Sequence, residues 1–407
     1  MCRATDFKKV INFGRNPLVN SLIEEKDLDK TEPTFPLIVK QCQKCFLVQI
    51  VDPIDSHVIY RDVDYLYFSG DMPGLDKYFM DFALDDIRPR LKNPETGQDD
   101  ISKFIVEIGS NDGTFLGIFK NWGFRTLGVD PASNVVVRAL KNGIPTVSDF
   151  FSERLARSIV REYGKADIVG GANCIAHLNN LHDLMEGVNV LLKDDGTFWV
   201  ECNYWGGMVK NKNYALIYHD HFSYFTLLNW VQFLEQFNMS VVDAHVTPAQ
   251  GGSLRLFVKR GLNNPKTERC MKLLQEESEN NLNSYETAKR YKKEVVKEAY
   301  KLGRLIQNLK SEGKTIAGYG AAAKGFSVLK LAGIDQRHID YFVDDSPAKQ
   351  GKYTPVSHIP VISRDEAEEK LPDYFFITAP NYKDVIIEKE RDRRYAGKFV
   401  TVESQII

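Results

Sequence analysis

Apolar and polar positions change rhythm several times along this chain. At the N-terminal end the apolar runs are short and broken by turn residues. "KVINFGRNPLVNSL" predicts a strand, a Gly-Arg-Asn-Pro turn and a short following segment, and residues 1–60 read as a small β-rich module. Residues 60–100 are rich in aromatics, and the second half of "YRDVDYLYFSGDMPGLDKYFMDFALDDI" has helical spacing. The polar, turn-rich "KNPETGQDD" marks a boundary. Beyond it "KFIVEIG", "FRTLGVD", "ADIVGGANCI" and "GTFWVECN" are apolar runs separated by helical stretches, the pattern of a parallel sheet. Residues 204–260 continue as an inserted or antiparallel part whose last strand is "GGSLRLFVKR". Residues 264–312 predict a long helix or helical pair, and from Lys314 a second strand–helix alternation begins. The class is α/β, with two Rossmann-like units behind a small β-rich one.

Composition narrows the function little. A chain of 407 residues exceeds one compact core, so two or three domains are expected. The net charge of −2 gives no global basic field for nucleic acid. No apolar run reaches the length of a bilayer span, and "MCRATDFKKV" has no signal-peptide core, so the expectation is a cytoplasmic protein without membrane or nucleic-acid partners. Cys174 and Cys202 fall in apolar runs and are expected to be small buried hydrophobes.

"FIVEIGSNDGTFLGIFKNWGFRTLGVD" is the strongest local signal. A strand delivers Glu107, Gly109 and Gly113 flank a tight turn, and the next strand ends at Asp130, where a carboxylate can accept from ribose hydroxyls. The spacing is GxxxG rather than the GxGxxG that brings a pyrophosphate onto a helix N-terminus. The loop therefore suits S-adenosyl-L-methionine, which carries a sulfonium and no phosphate.

The CxxC module, "PLVNSL", "DYLYFSG", "EIGSNDGTF", "ANCIAHLNNLHD", "YHDHFSYFT", "GGSLRLFVKR", "GYGAAAKG" and "VDDSPAKQGKYTPVSHIPV" follow one another over essentially the whole chain. In that order they resemble the zinc-containing sugar C-methyltransferases, and look like the NDP-hexose C-3 methyltransferases. The resemblance implies a zinc-binding module (1–60) and a methyltransferase domain (61–262, with a helical lead-in over 61–100). A helical connector (263–312) and a C-terminal Rossmann-like domain that helps hold the nucleotide sugar (313–407) follow. It implies methyl transfer to the carbon beside a 4-ketone of a nucleotide-linked deoxyhexose. Matched position by position, it gives Tyr218, Asp220 and His221 as catalytic, with His221 the base and the carboxylate orienting it. Asn173, His177, Tyr65 and Tyr67 join them, and Ser69 lies in the tyrosine segment. The cofactor loop becomes Glu107, Gly109, Ser110, Asn111, Asp112, Gly113, Asp130, Pro131 and Asn173. His219 is expected to be structural or orienting.

Several positions depart from the family's pattern. Asp220 stands where the family has glutamate, Val356 where it has glycine, and "TAPNY" replaces an apolar-Trp-Asn sequence. The family's zinc site uses two CxxC pairs. Here Cys42 and Cys45 form one pair, and Cys2 is either the second cysteine of the other, its mate upstream of Met1, or the first, with Thr5 in place of the second. Both alignments leave Cys2, Cys42 and Cys45 as ligands of a structural zinc. Lys324, Lys349 and Lys352 are candidate diphosphate contacts. Two alternatives stand beside the methyltransferase: an NAD-dependent oxidoreductase or epimerase using the glycine loop at 318–325, and a non-catalytic sugar-nucleotide-binding homologue. The protein is expected to be a monomer or weak homo-oligomer.

Overall fold

The computed structural model describes the whole chain except residues 19–20, 52, 62–64 and 322 and the side chains of Ala323 and Asn381. Among the described residues the strands form three sheets. The central one has seven strands, in the order 239–247, 253–260, 192–203, 166–172, 104–108, 125–129, 146–147. Phe104–Ile108 lies at its middle, parallel to Arg125–Val129 on one side and to Ala166–Ala172 on the other. All five of its residues are buried, which is why the sequence there is a continuous apolar run and not an alternation. Ser253–Arg260 and Met239–Thr247 extend the sheet antiparallel, as "GGSLRLFVKR" indicated.

The C-terminal sheet has six strands and a parallel heart, Ile316–Tyr319 between Phe342–Val343 and Tyr374–Ile377. The expected helical pair is present as Glu268–Glu279 and Tyr285–Ser311, begun by the Thr267 and Ser284 side chains accepting from the backbone of Cys270 and Thr287. The longer helix buries Ala288, Tyr291, Val295, Ala299, Leu302, Ile306 and Leu309, a stripe at helical spacing.

The N-terminal sheet differs from the sequence reading. The first strand runs from Phe7 to Asn16, through the residues expected to turn. Its ladder with Phe35–Cys42 shifts register between Asn12 and Arg15, and Gly14 has φ +76°. The glycine is absorbed as an irregularity inside a strand, which a local pattern cannot distinguish from a turn. Ser223–Tyr224 forms the fourth strand of this sheet, Val48 facing Tyr224 and Gln49 facing Ser223. The next residue, Phe225, bridges to Tyr204 beyond the end of a central strand. From the other side, the Ser327 hydroxyl of the C-terminal helix Ala323–Ala332 donates to the Ile217 carbonyl. The segment 217–226 is thereby tied to all three sheets.

The first and last sheets also touch directly. Ile23 bridges to Tyr353, and the Glu32 carboxylate accepts from the Val356 N–H at 2.7 Å and pairs with His358 Nε2 at 2.5 Å. Val356 has φ +65°, a left-handed conformation that a β-branched residue adopts only at a cost. This is the position where the family's pattern has glycine. Val356→Gly is expected to stabilise the protein by about 1 kcal/mol, the relieved strain exceeding the glycine's extra chain entropy. Urea unfolding of the two proteins checks it, and an unchanged or lower midpoint would show that the loop carries no such strain.

Candidate functional site

The C-terminal ends of the central strands open into a cavity of about 900 Å³, walled also by the tyrosine segment, by 210–221 and by parts of the C-terminal unit. Such a crevice is where open α/β sheets hold ligands. Asp130 ends its strand with Oδ2 accepting from the Asn111 N–H and Oδ1 from the Ala132 N–H, both at 2.9 Å. Burial raises its pKa to about 6, against the pull of those two N–H groups. Gly109 has φ +66°, and a Cβ there would stand 2.5 Å from the Cys174 Cβ, so the loop closes only with glycine.

Of the predicted cofactor residues, Gly109, Asn111, Asp130, Pro131 and Asn173 line the cavity. Glu107, Ser110, Asp112 and Gly113 do not. Asp112 is spent on structure, accepting from the Thr114 hydroxyl at 2.6 Å and the Gly70 N–H at 2.9 Å. Gly113 is the left-handed cap before helix Thr114–Asn121. Glu107 is fully enclosed, its pKa driven up by burial and by Asp130 and Asp112. Asn111 carries a second task the sequence did not reveal. Its Oδ1 accepts from Ser69 N–H and its Nδ2 donates to the Tyr67 carbonyl, fastening the tyrosine segment onto the loop. Tyr65 and Tyr67 consequently both face the cavity, their rings edge to face at 6.5 Å.

The tyrosine–histidine segment forms the opposite wall. His221 Nδ1 lies 2.7 Å from the Leu216 carbonyl, which can only accept, so Nδ1 carries the proton. Nε2 is then the acceptor for the Tyr218 hydroxyl at 2.9 Å. Burial, with His177 beside it, holds His221 well below the usual imidazole range, so the ring is neutral near pH 7. This corrects one expectation: the group orienting His221 is the Leu216 carbonyl and not the Asp220 carboxylate. The His177 ring stacks on His221 at 5.0 Å, brought there because the Phe222 N–H donates to the Ala176 carbonyl. His177 Nδ1 meets the Tyr60 hydroxyl at 2.8 Å, while its Nε2 is buried without a partner among the described residues. Burial lowers its pKa to about 4. His219 points away, edge-on to Phe35 of the N-terminal sheet. Cys174, expected to be buried, is half-buried and lines the cavity, whereas Cys202 is fully enclosed.

Asp220 is buried and no described residue donates to its carboxyl; burial alone raises its pKa to about 7. One methylene shorter than the family's glutamate, it holds a site among Tyr60, Tyr65 and Tyr218, whose own pKa values its charge raises.

A charged network behind Asn173 escaped the sequence reading. Glu201 and Arg255 face each other across paired strands, both buried, with Arg255 Nη2 2.6 Å from Glu201 Oε2. Tyr78 donates to the same carboxylate at 2.5 Å, and Arg255 also reaches Asp86 at 2.6 Å. Breaking such a buried pair costs about 3–5 kcal/mol. The available signal was a glutamate and an arginine in otherwise apolar strands, "WVECN" and "SLRLFV", since a buried charge needs a partner. Tyr60 was missed for another reason: its partner His177 lies 117 residues away.

The Cys2, Cys42 and Cys45 sulfurs lie within 4.8 Å of one another, Cys2 and Cys42 at 3.5 Å. Zinc–sulfur bonds of about 2.3 Å in a tetrahedron place sulfurs about 3.8 Å apart, so the three fit three corners of a zinc site. The cavity fits a ligand by a different criterion. His177 Nε2 and Asn203 Nδ2 are buried polar atoms without partners on its wall, a cost of about 1–3 kcal/mol each that a bound molecule removes.

Comparison with known proteins decides the family. Residues 1–60 match a family model described as "Putative zinc binding domain", 78–244 one described as "Methyltransferase domain", and 248–402 one described as "C-methyltransferase C-terminal domain". The C-methyltransferase NovU of Streptomyces niveus is 31% identical over 405 residues, 98% of this chain and 94% of that protein. The chain belongs to this C-methyltransferase family. It is a methyltransferase and carries the family's zinc-binding module.

Among solved structures, a methyltransferase from Anabaena variabilis ATCC 29413 is 14% identical. It covers 47% of this chain and 86% of its own, at a TM-score of 0.34. The DhpI–SAH complex is also 14% identical and covers 47% of this chain and 89% of its own, at 0.33. That degree of likeness decides nothing about this chain.

In this C-methyltransferase the second glycine loop is built like the first. Asp344 accepts from the Ala321 and Ser346 N–H groups, as Asp130 does from Asn111 and Ala132. Lys349, however, donates to Asp344 at 3.1 Å and to the Ala321 carbonyl at 3.2 Å, so this carboxylate already has a cation partner, which counts against the NAD alternative and against Lys349 as a diphosphate contact. Lys352 lies in a short edge strand with Tyr353, which pairs to Ile23. Lys324 is the candidate nearest the cavity: it donates to the cavity-wall residue Gln250, its charge acts on His221, and burial lowers its pKa to about 7. No described helix is long and apolar enough to cross a membrane.

The raised pKa of Asp220 has a signed consequence. Its folded value of about 7 lies above the unfolded one, so its contribution to stability is greatest below the unfolded pKa and is lost as pH rises through 7. Asp220→Asn should therefore melt higher than the parent at pH 8.5, with the gap closing as pH falls toward 5. A gap independent of pH in thermal melts would mean that the carboxyl titrates normally.

Proposed function

We propose that this enzyme methylates C-3 of a 4-keto deoxyhexose linked to a nucleoside diphosphate. The observation that carries the reading is the Tyr218–His221 pair, a neutral imidazole whose accepting nitrogen is directed at the cavity through a phenol. Carbon alkylation needs a carbon nucleophile. A proton beside a ketone can be removed when a base stands near it and donors meet the oxygen that becomes negative. S-adenosyl-L-methionine, when bound, supplies the electrophilic methyl group on its sulfonium.

In this reading the proton leaves toward the Tyr218–His221 pair, with His221 Nε2 its final acceptor. His177 faces the oxygen. With the Tyr60 hydroxyl donating to its Nδ1, its Nε2 carries a hydrogen and has no protein acceptor, the state required of an enolate donor. Asp220 favours positive charge on the neighbouring rings once the proton has moved. Tyr65 and Tyr67 flank the sugar, while Asp130, Asn111, Gly109, Pro131 and Asn173 hold the methyl donor. Residues 1–60 and 313–407 act as separate domains against the central one (61–262), joined by the connector 263–312, and the C-terminal domain covers the nucleotide. Lys324 is its candidate diphosphate contact. NovU is named a C-methyltransferase, which favours carbon over oxygen or nitrogen as acceptor.

The test incubates the enzyme in heavy water with a panel of 4-keto-deoxyhexose nucleotides, with and without methyl donor, and reads products by mass spectrometry. One methyl gained with donor, and one deuterium taken up beside the ketone without it, are expected. His221→Ala should lose both by about 10²–10⁴-fold while still binding the donor. Methyl gain on oxygen, or full turnover by His221→Ala, would overturn the reading.

A further inference from the structure

Asn173 ends the strand Ala166–Ala172 with φ +56° and lines the cavity. Its amide has two unlike ends. The Nδ2 end is taken: it donates to Glu201 Oε1 at 3.0 Å, while the backbone N–H of Asn173 donates to the Glu201 carbonyl at 2.7 Å. The other carboxylate oxygen, Oε2, is saturated by Arg255 Nε at 2.9 Å, Arg255 Nη2 at 2.6 Å and the Tyr78 hydroxyl at 2.5 Å. A carboxylate held in this way accepts and cannot donate, so the Asn173 amide cannot turn round. Its Oδ1 is the remaining polar end of this cavity-lining side chain, and among the described residues only the Ser253 hydroxyl donates to it, at a long 3.5 Å.

We propose that Glu201 and Arg255 are positioning residues that fix the Asn173 carbonyl oxygen as the acceptor for the ammonium group at the amino-acid end of the methyl donor. The inference rests on the methyl-donor reading of the cavity. Three observations support it. Asp130, on the far side of the central strand Phe104–Ile108, is the group placed for a ribose, so the other end of the donor runs toward Asn173. Tyr78 shares the Glu201 carboxylate and itself lines the cavity, so the network sets that wall at two points. Arg255 is locked in turn by Asp86 at 2.6 Å and by the Phe82 ring, 3.4 Å from its guanidinium carbon. The acceptor is thus held by a chain of buried contacts.

Glu201→Gln replaces an obligate acceptor with an amide that can present either end, freeing Asn173 to turn. Two probes separate positioning from general damage: S-adenosylhomocysteine, which keeps the ammonium, and 5′-methylthioadenosine, which lacks the whole amino-acid end. Calorimetry should show Glu201→Gln weakening the first by about tenfold, the size of one charge-assisted hydrogen bond, and leaving the second unchanged. Asn173→Gly, which suits the left-handed backbone and removes the acceptor, should do the same and serves if Glu201→Gln does not fold. Equal weakening of both probes would reduce the network to a structural role, and no weakening of either would remove it from donor binding; both outcomes overturn the proposal. A parent protein that binds neither probe overturns the donor reading itself, and the inference with it.

Discussion

Everything at this site depends on keeping the backbone of 217–226 satisfied out of water. Buried peptide groups must find partners, and this segment has too little regular structure to supply its own. The N-terminal sheet takes Ser223 and Tyr224 as an edge strand, the end of a central strand takes Phe225, and the C-terminal helix takes Ile217. The long helix closes the flank, its Tyr291 hydroxyl donating to the Asn213 carbonyl. Because the peptide groups are held from outside, the side chains can be specialised. The Leu216 carbonyl is spared to set the His221 tautomer, and the Phe222 N–H draws His177 alongside.

The same economy governs the glycine-loop side of the cavity. A carboxylate at a strand end grips the neighbouring loop through two peptide N–H groups and keeps its remaining lone pairs for a ligand. The arrangement appears twice, at Asp130 and at Asp344, and one lysine separates them: Lys349 pairs with the second, and among the described residues no cation pairs with the first. Shared local architecture therefore says little about shared ligands, and the chemistry at the strand end decides.

The large elements were legible in the sequence because their signals are local. Buried parallel strands read as apolar runs, the helical pair as a stripe, and the glycine loop as strand, turn and helix. Asn173, His177, Tyr218 and His221 were legible through their resemblance to a family, and the structure brings them to one cavity. What escaped depends on pairing across sequence distance. The Gly14 irregularity exists only against the partner strand, the true orienting group of His221 is a main-chain carbonyl with no residue signature, and Glu201 finds Arg255 54 residues later. Glu107, Ser110, Asp112 and Gly113 show the converse. A motif marks a loop correctly, yet only some of its residues line the cavity while others hold the loop in shape.

Stitching the segment 217–226 to three sheets also orders events in time. Its contacts reach back to Val48 and Gln49 and forward to Ser327, so they close loops of more than a hundred residues on either side. Such non-local pairings form late. On the ribosome or during refolding, each sheet can complete its own hydrogen-bonding while 217–226 still lacks its last partner. Regain of activity is then set by the docking of finished units, a slower clock than the one read by helix and strand content.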